Sequence, residues 1–175
     1  MVKDLRKYEI RPATRDELYE IAVFLDNCWR SAYSGIVSNV FLGTMKADDR
    51  YQKLLARFDE QVSEFLLMRD ADVLVGVAVY GKSYTEGYLD DGEVSAIYLS
   101  PQYIGSGNGH ILFIRAEEAL SAKGYSHFVL DVLIGNEQAI SFYEKHGYEI
   151  VEERNIKLGD RDYPLAVFRK ENILQ

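Results

Sequence analysis

Three glycines, Gly105, Gly107 and Gly109, close the segment that runs from Glu93 to His110. Residues 93–99 alternate as a strand, and a helical period begins behind the glycines. Glycine lets backbone N–H groups turn toward a ligand with no Cβ in the way. A helix N-terminus adds partial positive charge. Strand, loop and helix start together make a cradle for a diphosphate that needs no Lys or Arg. Two known phosphate loops fit poorly. A P-loop needs Gly-Lys-Ser/Thr, and no lysine stands here. A dinucleotide fingerprint needs G-x-G-x-x-G, but the third position is His110, with Gly109 one residue early. That fold also puts its loop after the first strand, whereas this loop lies past mid-chain.

The loop reads Q/R-x-x-G-x-G/A as Gln102-Tyr103-Ile104-Gly105-Ser106-Gly107. Farther on, Asn136-Glu137-Gln138-Ala139-Ile140-Ser141-Phe142-Tyr143-Glu144-Lys145-His146-Gly147-Tyr148 reads N-x-x-A-x-x-F-Y-x-K-x-G-F/Y. Both motifs resemble those of the GCN5-related N-acetyltransferase (GNAT) family, whose coenzyme A diphosphate site carries the first. Cys28-Trp29-Arg30-Ser31-Ala32-Tyr33-Ser34-Gly35 resembles the S-W-R-x-A-Y-x-G segment of many bacterial members, with Cys28 in place of serine. The resemblance implies an α/β (α+β) fold: a mixed, mostly antiparallel sheet of about seven strands with helices on both faces. It implies acetyl-CoA as cosubstrate, an amine acceptor, no metal, and a homodimer as a family-level expectation. Cofactor contacts would come from Ile97, Tyr98 and Leu99 along the pantetheine, from the loop Gln102, Tyr103, Ile104, Gly105, Ser106, Gly107, Asn108, Gly109 and His110, and from Asn136, Ala139 and Tyr143. Asp131 departs from the family, where an aromatic residue is common, and this bears on the acceptor side.

An amine acceptor sets two proton demands. A free alkylamine has a pKa near 10.4, like a lysine side chain, so it needs a base, direct or through water. Glu93 opens the strand that leads to the glycine loop and, by the two-residue period, shares a face with Ser95 and Ile97. The resemblance assigns a glutamate at this place to proton removal; a strand-end glutamate facing solvent fits the residues equally well. The oxyanion formed at the thioester needs a donor, which the resemblance places at the Leu99 backbone N–H. The leaving thiol, with a pKa of about 8.5, can take a proton from a tyrosine at about 10. Tyr143 lies on the inward face with Ala139 and Ile140. The bare sequence makes it a core tyrosine; the resemblance makes it the general acid. Asn136 is placed to cap its helix, and the resemblance adds contact with the pantetheine arm.

Trp29 and Tyr33, four apart, share a helix face and are the candidate acceptor-side residues, with packing the plainer role for Trp29. The loop Tyr84-Thr85-Glu86-Gly87-Tyr88-Leu89-Asp90-Asp91 is acidic and aromatic; it suits a cationic amine or an ordinary solvated loop. Cys28 reads as a buried helix cysteine rather than a covalent relay, which favours direct transfer in a ternary complex. Rival readings are a regulatory module that binds acetyl-CoA without turnover, a protein N-terminal or lysine acetyltransferase, and a nucleotide-binding enzyme. The first would discard Glu93 and Tyr143. The last would need a phosphate-facing lysine or a carboxylate set for a metal.

These residues need elements to hold them. Residues 8–11 read as a first strand, and Thr14-Arg15-Asp16-Glu17 as a capping box. The helix behind it turns Leu18, Ile21, Ala22, Leu25 and Trp29 inward. A second helical region within 39–58 breaks around Gly43. Residues 65–69 and 73–80 read as a hairpin turning at Asp70-Ala71-Asp72, and residues 82–91 as a loop. Leu112, Ala116, Ala119 and Leu120 mark a helix that stops before Gly124; residues 128–133 form a strand. A short helix ends at Gly147, and residues 148–169 give two strands that turn at Gly159-Asp160.

The chain has 175 residues, which suits one domain spanning 1–175. Its formal net charge is -8, and no basic stripe marks a nucleic-acid partner. No apolar run suits a membrane span or a signal peptide. One cysteine permits no internal disulfide, and a reducing, cytoplasmic setting fits. His110, His127 and His146 are not spaced as a local metal site.

Overall fold

Thr14 and Glu17 form the reciprocal cap, with the Thr14 N–H donating to Glu17 Oε2 at 2.9 Å. A single 3-10 turn then leads into α1 (Leu18–Ala32), which buries Leu18, Ile21, Ala22 and Leu25 completely or nearly so. The computed structural model describes residues 8–173. After α1 come α2 (Asn39–Thr44) and α3 (Ala47–Asp59). The break between them lies at Met45 and Lys46, both extended, and not at Gly43, which sits inside α2. Arg30 explains the position. Its guanidinium donates to the Met45 carbonyl at 2.6 Å and the Leu42 carbonyl at 3.4 Å, taking the place of the next helical turn.

Among the described residues seven strands make one sheet: β1 (Glu9–Pro12), β2 (Ser63–Asp70), β3 (Val73–Lys82), β4 (Gly92–Leu99), β5 (His127–Leu133), β6 (Glu149–Leu158) and β7 (Arg161–Glu171). Their order is β1-β2-β3-β4-β5-β7-β6. Every pairing is antiparallel except β4 with β5. Between those two runs α4 (Asn108–Ala122), the crossover a parallel pair requires. α5 (Glu137–Lys145) joins β5 to β6. α1 and α3 cover one face, over Phe65, Leu67, Val77 and Val79; α4 and α5 cover the other, over Ala78, Val94, Leu130 and Phe168. Among the described residues no helix is long and apolar enough to cross a membrane.

Two irregularities of the sheet, both on β4, bear on the site. β4 and β5 pair only at Gly92↔Phe128 and Glu93↔Val129, and then part. β4 also carries a bulge: Tyr80 faces Val94 and Val79 faces Ala96, so Ser95 is the extra residue. The bulge corrects the face expected for Glu93. Val94 packs with Ile97 and Leu99 beneath α4, while Ala96 and Tyr98 join the opposite core. Glu93 therefore shares its face with Ala96 and Tyr98, not with Ile97.

Candidate active site

Where β4 leaves β5, a cleft of about 850 Å³ opens. Ile97, Tyr98 and Leu99 line it from β4, Ala139 and Tyr143 from α5, and Cys28 from α1. The backbone of β4 has a free side here. Ser100 N–H donates to the Val75 carbonyl of β3 at 2.9 Å. Because successive residues of a strand point to opposite sides, Leu99 and Ile97 present their amides away from β3, into the gap. The Leu99 carbonyl faces the same way, with Cys28 Sγ 3.7 Å from it. Burial pushes the Cys28 thiol up to about 11, so it is no thiolate at neutral pH.

Past Leu99 a 3-10 turn at Pro101–Tyr103 carries the chain into the glycine loop. Gly105 and Gly107 have φ of 79° and 86°, the left-handed region, and a Cβ on either would meet nothing within 4 Å. Their requirement is conformational, not steric. Asn108, 3% exposed, braces the loop from inside: its Nδ2 donates to the Tyr103 carbonyl at 3.2 Å and to Ser106 Oγ at 2.9 Å. No side chain caps the start of α4, so the first amides of that helix are left for an outside acceptor. Gly105, Gly107, Gly109 and His110 line the cleft. Gln102 is exposed outside it, and Tyr103 packs beneath, its hydroxyl donating to Asp70 Oδ2 at 3.0 Å.

α5 forms the facing wall. Asn136 Oδ1 accepts the Ala139 N–H at 3.2 Å, so it caps the helix and also lines the cleft. Tyr143 is 8% exposed. Burial, and then the neighbouring Tyr33, raise its pKa above the usual tyrosine value. Phe142 and His146 also line the wall, and the motifs gave neither a place there. Their spacing from Ala139 by three and seven residues is the helical period that could have found them.

On the opposite face of the sheet stands a second polar centre. Glu93 is 2% exposed. Its Oε2 accepts from Ser83 Oγ at 2.9 Å, from the Tyr84 N–H at 3.0 Å and from Thr85 Oγ1 at 3.2 Å. It therefore anchors the loop that comes after β3. That loop is no solvated strap: Ser83, Thr85 and Asp91 are buried, and Asp91 holds Arg169 through two bonds of 2.7 and 3.1 Å. Asp131, on β5, is solvent-exposed and 3.5 Å from the same Thr85 hydroxyl. Partial burial, then the charge of Glu93, raise Asp131 to about 6, while Arg154 pulls the other way.

Residues 19–148 match the acetyltransferase (GNAT) family. The chain belongs to that family. It is an acyltransferase on that ground, and its mostly antiparallel seven-stranded sheet with flanking helices matches that of GNAT structures. It is 28% identical over 151 residues to the N-acetyltransferase YuaI of Bacillus subtilis, covering 85% of this chain and 84% of that one. It is 22% identical over 148 residues to a spermidine N(1)-acetyltransferase of Thermoplasma acidophilum, covering 81% and 88% of the two chains. Among solved structures, the PaiA N-acetyltransferase of Thermoplasma acidophilum in complex with coenzyme A superposes with a TM-score of 0.74 at 23% identity, covering 94% of this chain and 99% of the other. An N-acetyltransferase of Staphylococcus aureus gives 0.72 at 19% identity, covering 94% and 98%.

In this GNAT protein Tyr33 and Trp29 stand apart from the main cleft. Tyr33 is 7% exposed and its hydroxyl lies 3.4 Å from that of Tyr98. Trp29, its ring 4.3 Å from that of Tyr33, lines a separate hollow with Asp26 and Arg50. No group of three His, Cys, Asp or Glu among the described residues is placed to hold a metal.

Proposed function

We propose that this GNAT enzyme passes the acetyl group of acetyl-CoA to the primary amine of a small cationic acceptor, by direct attack in a ternary complex. The observation that carries it is the β4–β5 split, which sets unpaired β4 amides and the Tyr143 wall on one side and the Glu93–Asp131 carboxylates on the other. The residues present fit the cofactor: a left-handed glycine loop and an uncapped helix start suit its diphosphate, and the free edge of β4 suits its pantetheine as an added strand. Acetyl-CoA supplies the activated acyl group. The Leu99 N–H faces the oxyanion. Tyr143 gives its proton to the leaving thiolate. Tyr33, the residue that ends α1, shapes the acceptor side beside Tyr98, with Trp29 packed against it. The amine's proton leaves toward the carboxylate pair, of which Glu93 is pinned by three donors and Asp131 is open to solvent.

The spermidine acetyltransferase among the relatives chooses the first acceptor to test. Thiol release from acetyl-CoA is expected with spermidine or a shorter diamine, and Asp131→Asn is expected to remove the acid limb of its pH–rate profile. If spermidine, diamines, amino sugars and amino acids all leave acetyl-CoA intact, the small-amine reading fails and a protein acceptor takes its place.

A further inference from the structure

At the mouth of the cleft, His110 in the first turn of α4 meets His146 at the end of α5. His110 Nδ1 and His146 Nε2 are 2.8 Å apart, and His146 Nδ1 is 2.7 Å from the Phe142 carbonyl oxygen. These contacts fix the hydrogens. A carbonyl can only accept, so His146 Nδ1 carries a hydrogen and donates it. A neutral His146 then has a bare Nε2, which accepts. His110 must therefore donate from Nδ1, and in its neutral form the bare nitrogen of His110 is Nε2. His146 is held to the accepting role. Its ring packs between Phe113 and Phe142, with centroids 4.9 and 4.3 Å away, and burial lowers its pKa.

His110 lines the cleft beside Gly105, Gly107 and Gly109, where the cofactor's diphosphate belongs. A bare ring nitrogen repels an anion; a protonated one donates to it. We propose that His110 takes up a proton from solvent when coenzyme A binds, donates it from Nε2 to the diphosphate, and is held in register by His146. The proposal rests on the acetyl-CoA reading of the cleft. Other charged groups stand near the pair. Glu117 and Lys170 interact with each other at 2.7 Å behind His146, and Lys145 lines the cleft from the last turn of α5. His146 is a positioning residue, since it acts through His110.

The test is calorimetric titration of the protein with dephospho-CoA near pH 7.5 in two buffers of different ionisation enthalpy. This probe lacks the phosphomonoester whose own ionisation, near pH 6, would register. Proton uptake at His110 should make the apparent binding enthalpy differ between the two buffers, by up to about one proton per ligand bound. The dissociation constant should weaken toward about tenfold per pH unit at higher pH. His110→Gln should bind with no uptake and a flat pH dependence. Wild-type binding without proton uptake, or the same uptake in His110→Gln, overturns the proposal. Unchanged uptake in His146→Leu overturns the positioning role. If neither dephospho-CoA nor coenzyme A binds, the reading of the cleft itself falls.

Discussion

Tyr143 can serve as an acid only if it still holds its proton when the thiolate departs. Its burial guarantees that form across the neutral range. Tyr143→Phe is expected to lower kcat by about 10²–10⁴-fold and to leave the Kd for coenzyme A unchanged, as steady-state kinetics and calorimetry would report. An unchanged kcat removes the acid role. Asp131 makes a prediction about stability whose sign differs from that of most carboxylates. It sits at about 6 in the folded chain, against about 3.9 unfolded. Between those values the folded state binds the extra proton, so the stabilisation is full below the lower value and is lost as pH rises through the upper one. Asp131→Asn should therefore melt higher than the wild type at pH about 7.5, and the gap should close as the pH falls toward 4. Equal melting curves at both pH values would show that Asp131 feels no such field. The glycine loop, Asn136 and Tyr143 were legible in the sequence because each lies in a short motif. The bond between His110 and His146 was not, because 36 residues separate two rings that only the packing of α4 against α5 brings together.

The elements were legible wherever one period ran unbroken. The apolar stripe of α1, the β2–β3 hairpin and the helix behind the glycines all come from spacing alone. The bulge at Ser95 did not show, since one extra residue leaves the β character of the segment intact while moving Glu93 to the other face. The end of α2 did not show either, because Arg30 sets it from another helix. Nor does spacing say that β4 and β5 part after two residue pairs, and that parting makes the cleft. The loop start of α4 offers a prediction of its own. Gly107 has room for a methyl group but a φ of 86°. Gly107→Ala should thus cost about 1–2 kcal/mol through the backbone alone, and should weaken coenzyme A binding more than Gly124→Ala, which has a φ of 85° far from the cleft. Denaturant melts measure the first effect and calorimetry the second; equal affinities in the two variants would take the loop out of the diphosphate site.

For the whole molecule, the net charge of -8 is the wrong sign for an anionic cofactor. Affinity must come from the local cradle, not from the field of the protein. The sheet is also weakest where that cradle lies. One part, β1 to β4, and the other, β5 to β7, share a ladder of two residue pairs, and α4 spans the seam. A ligand lying between β4 and α5 ties the two parts together, so its binding free energy should appear in global unfolding. At a hundred times its Kd a ligand adds about 2.7 kcal/mol, which for a chain of this size is roughly 5–11 °C in Tm. Acetyl-CoA should produce that shift while NAD and ATP produce less, because neither can lay a pantetheine along the free edge of β4. Tyr143→Phe should keep the shift and lose turnover, which separates holding the cofactor from using it. A larger shift with ATP or NAD would mean that the loop is read by a nucleotide alone, and the strand-like fit of pantetheine to Ile97 and Leu99 would carry no weight.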